Sequence, residues 1–355
     1  MAGAKKGIMK IGVIGAGAIG STLGGHITRG GEDVVIFDPW REHVEKMQKD
    51  GLLLDGVQGE HRVQVDARHV EELATFKDKF DLIIIAVKSY DTVWAVELMK
   101  PFLKGNGYFV SPQNSINEEQ ISPMVGADNL IGCVSTISAW LMEAGHTRQT
   151  GSMSQALKGN VSFTVGELDG QDTERVREVQ QIWNHAGDTT VTDNLWGERW
   201  SKMAINCMAN PSAGMTGLTS HEVRANRDSR SMMLKFGAEA LRVGRTLGHN
   251  IPSPMKGFTL DEIEHAAWEG NTELEATFSG PPPQVPGYPS LYQDIMKGRR
   301  TEIDYLNGLV SSKGKAMGLP TPYSDAAVTV IKGIEAGEFS VGIDNVQRVE
   351  QIARA

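Results

Sequence analysis

"KIGVIGAGAIGSTLGGHITRGGEDVVIFD", residues 10–38, decides how the first half of this chain folds. Ile11, Val13 and Ile14 suit a buried strand, and a helix is expected from about Ala18 to Arg29, ending at Gly30–Gly31. "DVVIFD" then reads as a second buried strand. Between strand and helix stand Gly15, Gly17 and Gly20 in the spacing GxGxxG, around Ala18 and Ile19. Gly15 permits the tight turn. Gly17 lets the backbone approach a pyrophosphate, and Gly20 lets the helix lie close on the strand. The helix N-terminus then offers free N–H groups and a positive partial charge to the phosphates. An acid, Asp38, closes the second strand at the distance that dinucleotide-binding turns require. The stretch therefore points to NAD or NADP.

Working outward, Asp38 favours NAD, because a carboxylate accepts from ribose hydroxyls and repels an added phosphate. Arg41 stands close enough in sequence to pair with that phosphate, so NADP stays open. "FDLIIIAVKS" (80–89) reads as another buried strand with Lys88 at its carboxyl end, the edge where open sheets bind ligands. Lys88 is a candidate for phosphate, ribose or the nicotinamide side. "GYFVSPQNSIN" (107–117) brings Gln113 and Asn114 to the same edge, where substrate and nicotinamide meet; a turn or helix-cap role for Asn114 is the alternative. Apolar runs at 129–138 and 160–167 continue the sheet. A helix from about Asp172 to Ala186 and a short strand "TTVT" complete it.

Composition bounds the rest. With 355 residues, 40% hydrophobic and 22% charged, the chain suits two globular domains. A net charge of −9 argues against a nucleic-acid surface. The two cysteines, Cys133 and Cys207, are far apart and read as reduced and buried, which suggests a cytoplasmic setting. No metal site is expected: the nine histidines form no HxxxH, and Glu262 with His265 is a single ExxH. Lys5, Lys6 and Lys10 ahead of Ile11–Ile19 resemble a secretion signal, but the glycine turn explains that run better. No stretch reaches the ~20 apolar residues of a membrane span.

After Asp193 strand-like runs give way to helical periods, so the domains are expected as 1–193 and 194–355. The first long helix starts at or just after Asn194, and Pro211 is expected to close it. Lys202, Asn206 and Asn210 recur at i, i+4, i+8 and so share one face, drifting about 40° per step. An ammonium in line with two amides, beside apolar residues, suits a substrate cleft: one group can give a proton, the others can hold oxygens. A partly exposed face with packing asparagines is the alternative. Residues 253–289 look like an insertion, with the prolines at 281–283, Pro286 and Pro289 forming a stiff crossing loop. Ser290 reads as an N-cap. Ile295, Ile303, Leu306, Val310 and Met317 form a broken helical stripe, and a last helix runs from about Ser324 to Glu335. In "TEIDYLNG" (301–308), Glu302 and Asp304 follow the basic pair Arg299–Arg300.

"GAGAIG", "AVKSYDT", "PQNSIN", "KMAINCMANPSAG", "SLYQDIMKGRRTEID" and "GLPTP" occur in this order across almost the whole chain. In these motifs the chain resembles the ketopantoate reductase family, whose members join a Rossmann-type α/β domain to an all-α domain of the 6-phosphogluconate-dehydrogenase type. The resemblance implies an enzyme that uses NAD(P)H to reduce a small 2-oxo acid, as 2-dehydropantoate to pantoate. It implies Lys202 as general acid, Glu302 as catalytic-site acid, and Asn206, Asn210 and Ser290 as substrate ligands. Asn114 matches the amide of the "QN" loop and Lys88 a lysine near the cofactor, while Asp304 is left a bystander. A homodimer and a preference for NADPH are also implied, the latter against Asp38. The family usually shows "QNG" where this chain has Gln113–Asn114–Ser115, and its "NPLTAL"-like run is "NPSAGMTG" here. Two other readings are a same-fold dehydrogenase for a different hydroxy or oxo acid, and a non-catalytic dinucleotide sensor.

Overall fold

A computed structural model describes residues 8–152, 161–277 and 287–355. The chain forms two compact units, one ending at Leu195 and one beginning at Trp196. In the first, the main sheet is eight-stranded. Its strands are β1 (Lys10–Ile14), β2 (Asp33–Asp38), β5 (Asp66–His69), β6 (Phe80–Ile85), β7 (Leu103–Ser111), β8 (Leu130–Ser135), β11 (Phe163–Glu167) and β12 (Thr189–Val191). They lie in the order β12-β11-β8-β7-β6-β1-β2-β5. All neighbours run parallel except β8 and β11. The chain moves one way from β1 through β2 and the other way through β6, so the order reverses beside β1, where open sheets of this kind bind ligands.

Consecutive residues of the central strands enter opposite cores. Ile11, Val13, Val34, Ile36, Leu82 and Ile84 pack on one face with Leu23 and Ile27 of the helix Ala18–Arg29. Ile14, Val35, Phe37, Ile83 and Ile85 pack on the other with Ala95, Val96 and Met99 of the helix Thr92–Met99. Both faces are covered, so the inner positions of these strands are apolar on both sides and show no alternation.

The apolar run at 129–138 divides. β8 ends at Ser135, and after Thr136 the chain enters β9 (Ile137–Glu143), which belongs to a second sheet. That sheet is four-stranded, ordered β4-β3-β10-β9, with β3 at Leu52–Gly56, β4 at His61–Val63 and β10 at His146–Ser152. Nothing in the sequence reading called for it. Its strands are short and mixed in polarity, and the β9–β10 hairpin turns at Gly145, whose φ is +73°.

The second unit is helical. Pro211 does not close its first helix, which runs from Leu195 to Thr216. A proline withholds only its own N–H, and Ala213 and Met215 beyond it are fully buried, so packing carries the helix onward. Nor is the helix after "GLPTP" the last: Pro322–Glu335 is followed by Asn345–Ala353, whose Val346 and Val349 join Met215, Phe236, Leu291, Ile303, Val330 and Ile331 in the core. The stretch 253–289 includes helices Leu260–Glu269 and Thr272–Thr277. Glu262 of the ExxH pair serves as a capping-box acid, accepting from Thr259 N at 2.7 Å. The prolines at 281–283 and Pro286 lie outside the described residues. Cys133 and Cys207 are fully buried, and burial pushes the Cys207 thiol far above its usual range. Among the described residues, no helix is long and apolar enough to cross a membrane, and no group of His, Cys, Asp or Glu could hold a metal ion.

Candidate functional site

Four parallel strand ends meet along one edge of the main sheet. Ile14 is registered with Phe37 and Ile85, and Ile84 with Val110. The ends of β1, β2, β6 and β7 and the segments that follow them therefore emerge together. They carry Gly15–Gly20, Asp38, Lys88 and Asn114.

Gly15 and Gly20 meet the steric demands their spacing predicts. Gly15 has φ +94°, and a Cβ there would stand 2.8 Å from Val87 Cγ1 and 2.9 Å from Val87 N. A Cβ on Gly20 would stand 1.8 Å from the Gly15 carbonyl oxygen, so only glycine lets the helix start here. Gly17 differs: a Cβ would meet nothing within 4 Å. Gly17, Ala18 and Ile19 are partly exposed, while Gly15, Ala16 and Gly20 are buried. The turn thus leaves backbone open at the N-terminus of the helix Ala18–Arg29, which has free N–H groups to offer. A pyrophosphate fits there by chemistry and by space.

Asp38 is buried and already engaged. Its Oδ2 accepts from Ala16 N at 2.6 Å and its Oδ1 from Trp40 N at 2.8 Å. Each carboxylate oxygen has a further lone pair for a ribose hydroxyl. Arg41, the residue that would favour an added phosphate, is exposed, and its Nη2 lies 2.6 Å from Glu71 Oε2.

Lys88 is half-buried between β6 and the short turn Ser89–Asp91. Gln113 is a tie within the protein: its Nε2 donates to Val87 O at 2.8 Å and to Thr92 Oγ1 at 2.9 Å, and Ser111 Oγ donates to its Oε1 at 3.1 Å. Asn117, which the sequence reading passed over, donates from Nδ2 to Asn114 O at 2.6 Å and to Ser89 Oγ at 3.2 Å. These bonds fasten the β6 and β7 loops to each other and place Asn114 at the edge. Asn114 is no helix cap; Asn117 holds that position before Glu118–Val125. Ser115, where the resemblance leads one to expect glycine, has φ +74°.

In the second unit, Lys202, Asn206 and Asn210 follow one another along the helix Leu195–Thr216, at 8%, 2% and 4% exposure. A solvated face would expose a lysine far more, so this row is not an exposed one. Asn210 Oδ1 accepts from Leu291 N at 3.2 Å, which can only donate, and this fixes the amide's orientation. Ser290 Oγ donates to the same oxygen at 3.1 Å, and Asn210 Nδ2 faces Asn206 Oδ1 at 3.5 Å. Ser290 is therefore not the N-cap of Ser290–Met296. Pro289 takes that position, and the serine hydroxyl turns to Asn210. The structure unites Asn206, Asn210 and Ser290 in one polar cluster, with Lys202 a turn before Asn206.

Glu302 and Asp304 part company. Glu302 is 5% exposed. Asp304 lies at the surface, 2.8 Å from Lys332 Nζ and 3.7 Å from Arg300 Nη2. Glu302 stands just before the short turn Ile303–Tyr305, and Asp304 lies within it.

Sequence reasoning overlooked His43. It is fully buried, five residues after Asp38, and its Nε2 lies 2.9 Å from Ala16 O. Its only sequence signal was a place beside Val44 and Met47 on the inner face of the helix Arg41–Asp50.

Comparison with known proteins covers both units. Residues 11–162 match the family model described as ketopantoate reductase PanE/ApbA, and residues 194–335 match its C-terminal counterpart. A 2-dehydropantoate 2-reductase of Pyrococcus abyssi (strain GE5 / Orsay) is 31% identical over 336 residues, 93% of this chain and 99% of that protein. The fold is similar to that of D-mandelate dehydrogenase solved with NADH and anilino(oxo)acetate, at TM-score 0.78 and 24% identity, covering 93% of this chain and 99% of that one. It is also similar to a PanE/ApbA family ketopantoate reductase from Ralstonia eutropha JMP134, at TM-score 0.74 and 25% identity, with 93% and 99% covered.

Proposed function

We propose that this chain, which belongs to the ketopantoate reductase PanE/ApbA family, reduces a small 2-oxo acid with hydride supplied by a bound nicotinamide dinucleotide. It is an NAD(P)-dependent oxidoreductase acting on C=O and CH–OH groups. The observation that carries the reading is the buried row of Lys202, Asn206 and Asn210 with Ser290 held against its end. Such a row gives a substrate one cation and several fixed donors and acceptors.

The roles follow from chemistry. As the carbonyl carbon is reduced, negative charge gathers on its oxygen. The Lys202 ammonium stabilises that charge and donates one proton, giving the hydroxyl; the resulting amine recovers a proton from water. Asn206, Asn210 and Ser290 hold the carboxylate and hydroxyl of the acid, which limits its rotation. Glu302 orients Lys202 or accepts from a substrate hydroxyl. Gly15–Gly20 cradle the pyrophosphate, Asp38 accepts from ribose hydroxyls, and Lys88 and Asn114 serve the nicotinamide end. With Arg41 held by Glu71, Asp38 favours NADH. The preferred substrate is 2-dehydropantoate, reduced to pantoate. A second reading keeps the machinery and changes the acid, since the fold is shared with a D-mandelate dehydrogenase.

The test is a panel of 2-oxo acids, with 2-dehydropantoate and phenylglyoxylate among them, assayed with NADH and NADPH on parent and Lys202→Ala. The parent should favour 2-dehydropantoate. Lys202→Ala should lose ~10²- to 10⁴-fold in kcat while NADH affinity stays within about threefold. A variant that turns over like its parent removes Lys202 from the proton-donating role.

A further inference from the structure

Ala16, between the first two glycines of the turn, is gripped on both its peptides. Its N–H donates to Asp38 Oδ2 at 2.6 Å. Its carbonyl oxygen accepts from Ser21 Oγ at 2.7 Å and faces His43 Nε2 at 2.9 Å. The tautomer of His43 follows from its other nitrogen. Gly145 N points at Nδ1 from 2.8 Å and can only donate, so Nδ1 is bare and the ring proton sits on Nε2. His43 therefore donates to Ala16 O. The ring is fully buried and stacks on Trp40 at 5.2 Å and 18°, which sets its plane.

The consequence lies on the opposite side of the peptide. In a trans peptide the carbonyl and the next N–H point in opposite directions. With Ala16 O turned inward to two donors, Gly17 N–H is turned outward. There the backbone is open: a Cβ on Gly17 would meet nothing within 4 Å. We propose that His43, with Ser21, is a positioning residue for the dinucleotide, locking the Ala16–Gly17 peptide so that its N–H faces the pyrophosphate. Through Gly145 the second sheet takes part, because the β9–β10 turn holds the imidazole in its donating tautomer. This inference rests on the reading of the glycine turn as the dinucleotide site.

Two substitutions separate the donor from the bulk of the side chain. In His43→Gln the amide nitrogen stands near the place of Nε2 and keeps the bond to Ala16 O. In His43→Asn the shorter amide answers Gly145 N and leaves Ala16 O with one donor fewer. Each loses one buried hydrogen bond, so a role in stability alone affects both alike. The readout is the dissociation constant of NADH, and separately of NADPH, by fluorescence titration of the full chain, with melting temperature in parallel. His43→Asn should bind about tenfold more weakly than its parent, and His43→Gln within about threefold. Equal constants for the two variants overturn the inference. A parent that binds neither NADH nor NADPH overturns the reading of the turn itself. Should neither variant fold, Ser21→Ala decides: weaker binding at an unchanged melting temperature supports the inference, and parental binding overturns it.

Discussion

At Ser115 the backbone departs from what an L-residue prefers. A serine at φ +74° sits in the left-handed region, which costs an L-residue about 1–2 kcal/mol. Glycine escapes that cost but brings more freedom to the unfolded chain, so the two nearly cancel. Ser115→Gly should leave the urea midpoint unchanged or raise it. Ser115→Val, β-branched, should lower stability by about 1–2 kcal/mol. The glycine turn allows a sharper contrast. Gly20→Ala drives a methyl group to within 1.8 Å of a backbone oxygen, so both melting temperature and NADH affinity should collapse. Gly17→Ala meets only open space. It should melt like the parent yet bind NADH more weakly, because the methyl stands where a phosphate approaches. If Gly17→Ala binds as tightly as the parent, the pyrophosphate does not lie there.

At the scale of elements, two buried histidines make the first unit sensitive to acid. His26, in the helix Ala18–Arg29, is pushed down to about 4 from an ordinary 6.5, mainly by burial and also by the nearby Arg29. His43, in Arg41–Asp50, is pushed down by burial, against the opposing pull of Asp38. In each, the folded chain holds the neutral form and the unfolded chain binds the proton more readily. Their contribution is complete above about pH 6.5 and is lost as pH falls toward the folded values. For each histidine the loss steepens by up to about 1.4 kcal/mol per pH unit. Urea midpoints measured between pH 7.5 and 4.5 should fall, and fall less in His43→Gln, which has no proton to gain. An identical slope in that variant would show that His43 does not titrate on unfolding.

For the whole molecule, cofactor choice is the property to measure. A ligand that binds only the folded chain stabilises it by mass action, about 2.7 kcal/mol at a hundredfold excess over its dissociation constant. NADH should therefore raise the melting temperature more than NADPH at equal concentration. Glu71→Gln frees Arg41 from its exposed partner. It should narrow the NADH-to-NADPH ratio of kcat/KM by a few-fold, a modest change because exposed ion pairs are worth ~0.2–1 kcal/mol. A ratio unmoved by Glu71→Gln would show that Arg41 takes no part in the choice.

Residues 10–38 were enough, read alone, to determine a parallel α/β domain and a tight glycine turn between its first strand and helix, because Gly15 and Gly20 answer local steric demands within that strand, turn and helix. Periodicity likewise placed Lys202, Asn206 and Asn210 on one helix face. What lay beyond local reading depended on contacts between distant segments. The second sheet pairs β3 with β10, almost a hundred positions away. Pro211 remains helical because of what packs around it. Ser290 leaves its expected cap for an amide 80 residues earlier. His43 gains its place only when Gly145 and Ala16 close on its two nitrogens. Turn and helix signals act through sterics and hydrogen bonds between neighbours in sequence. The pairing of buried polar groups is decided by which segments the core brings together, and that only the folded chain determines.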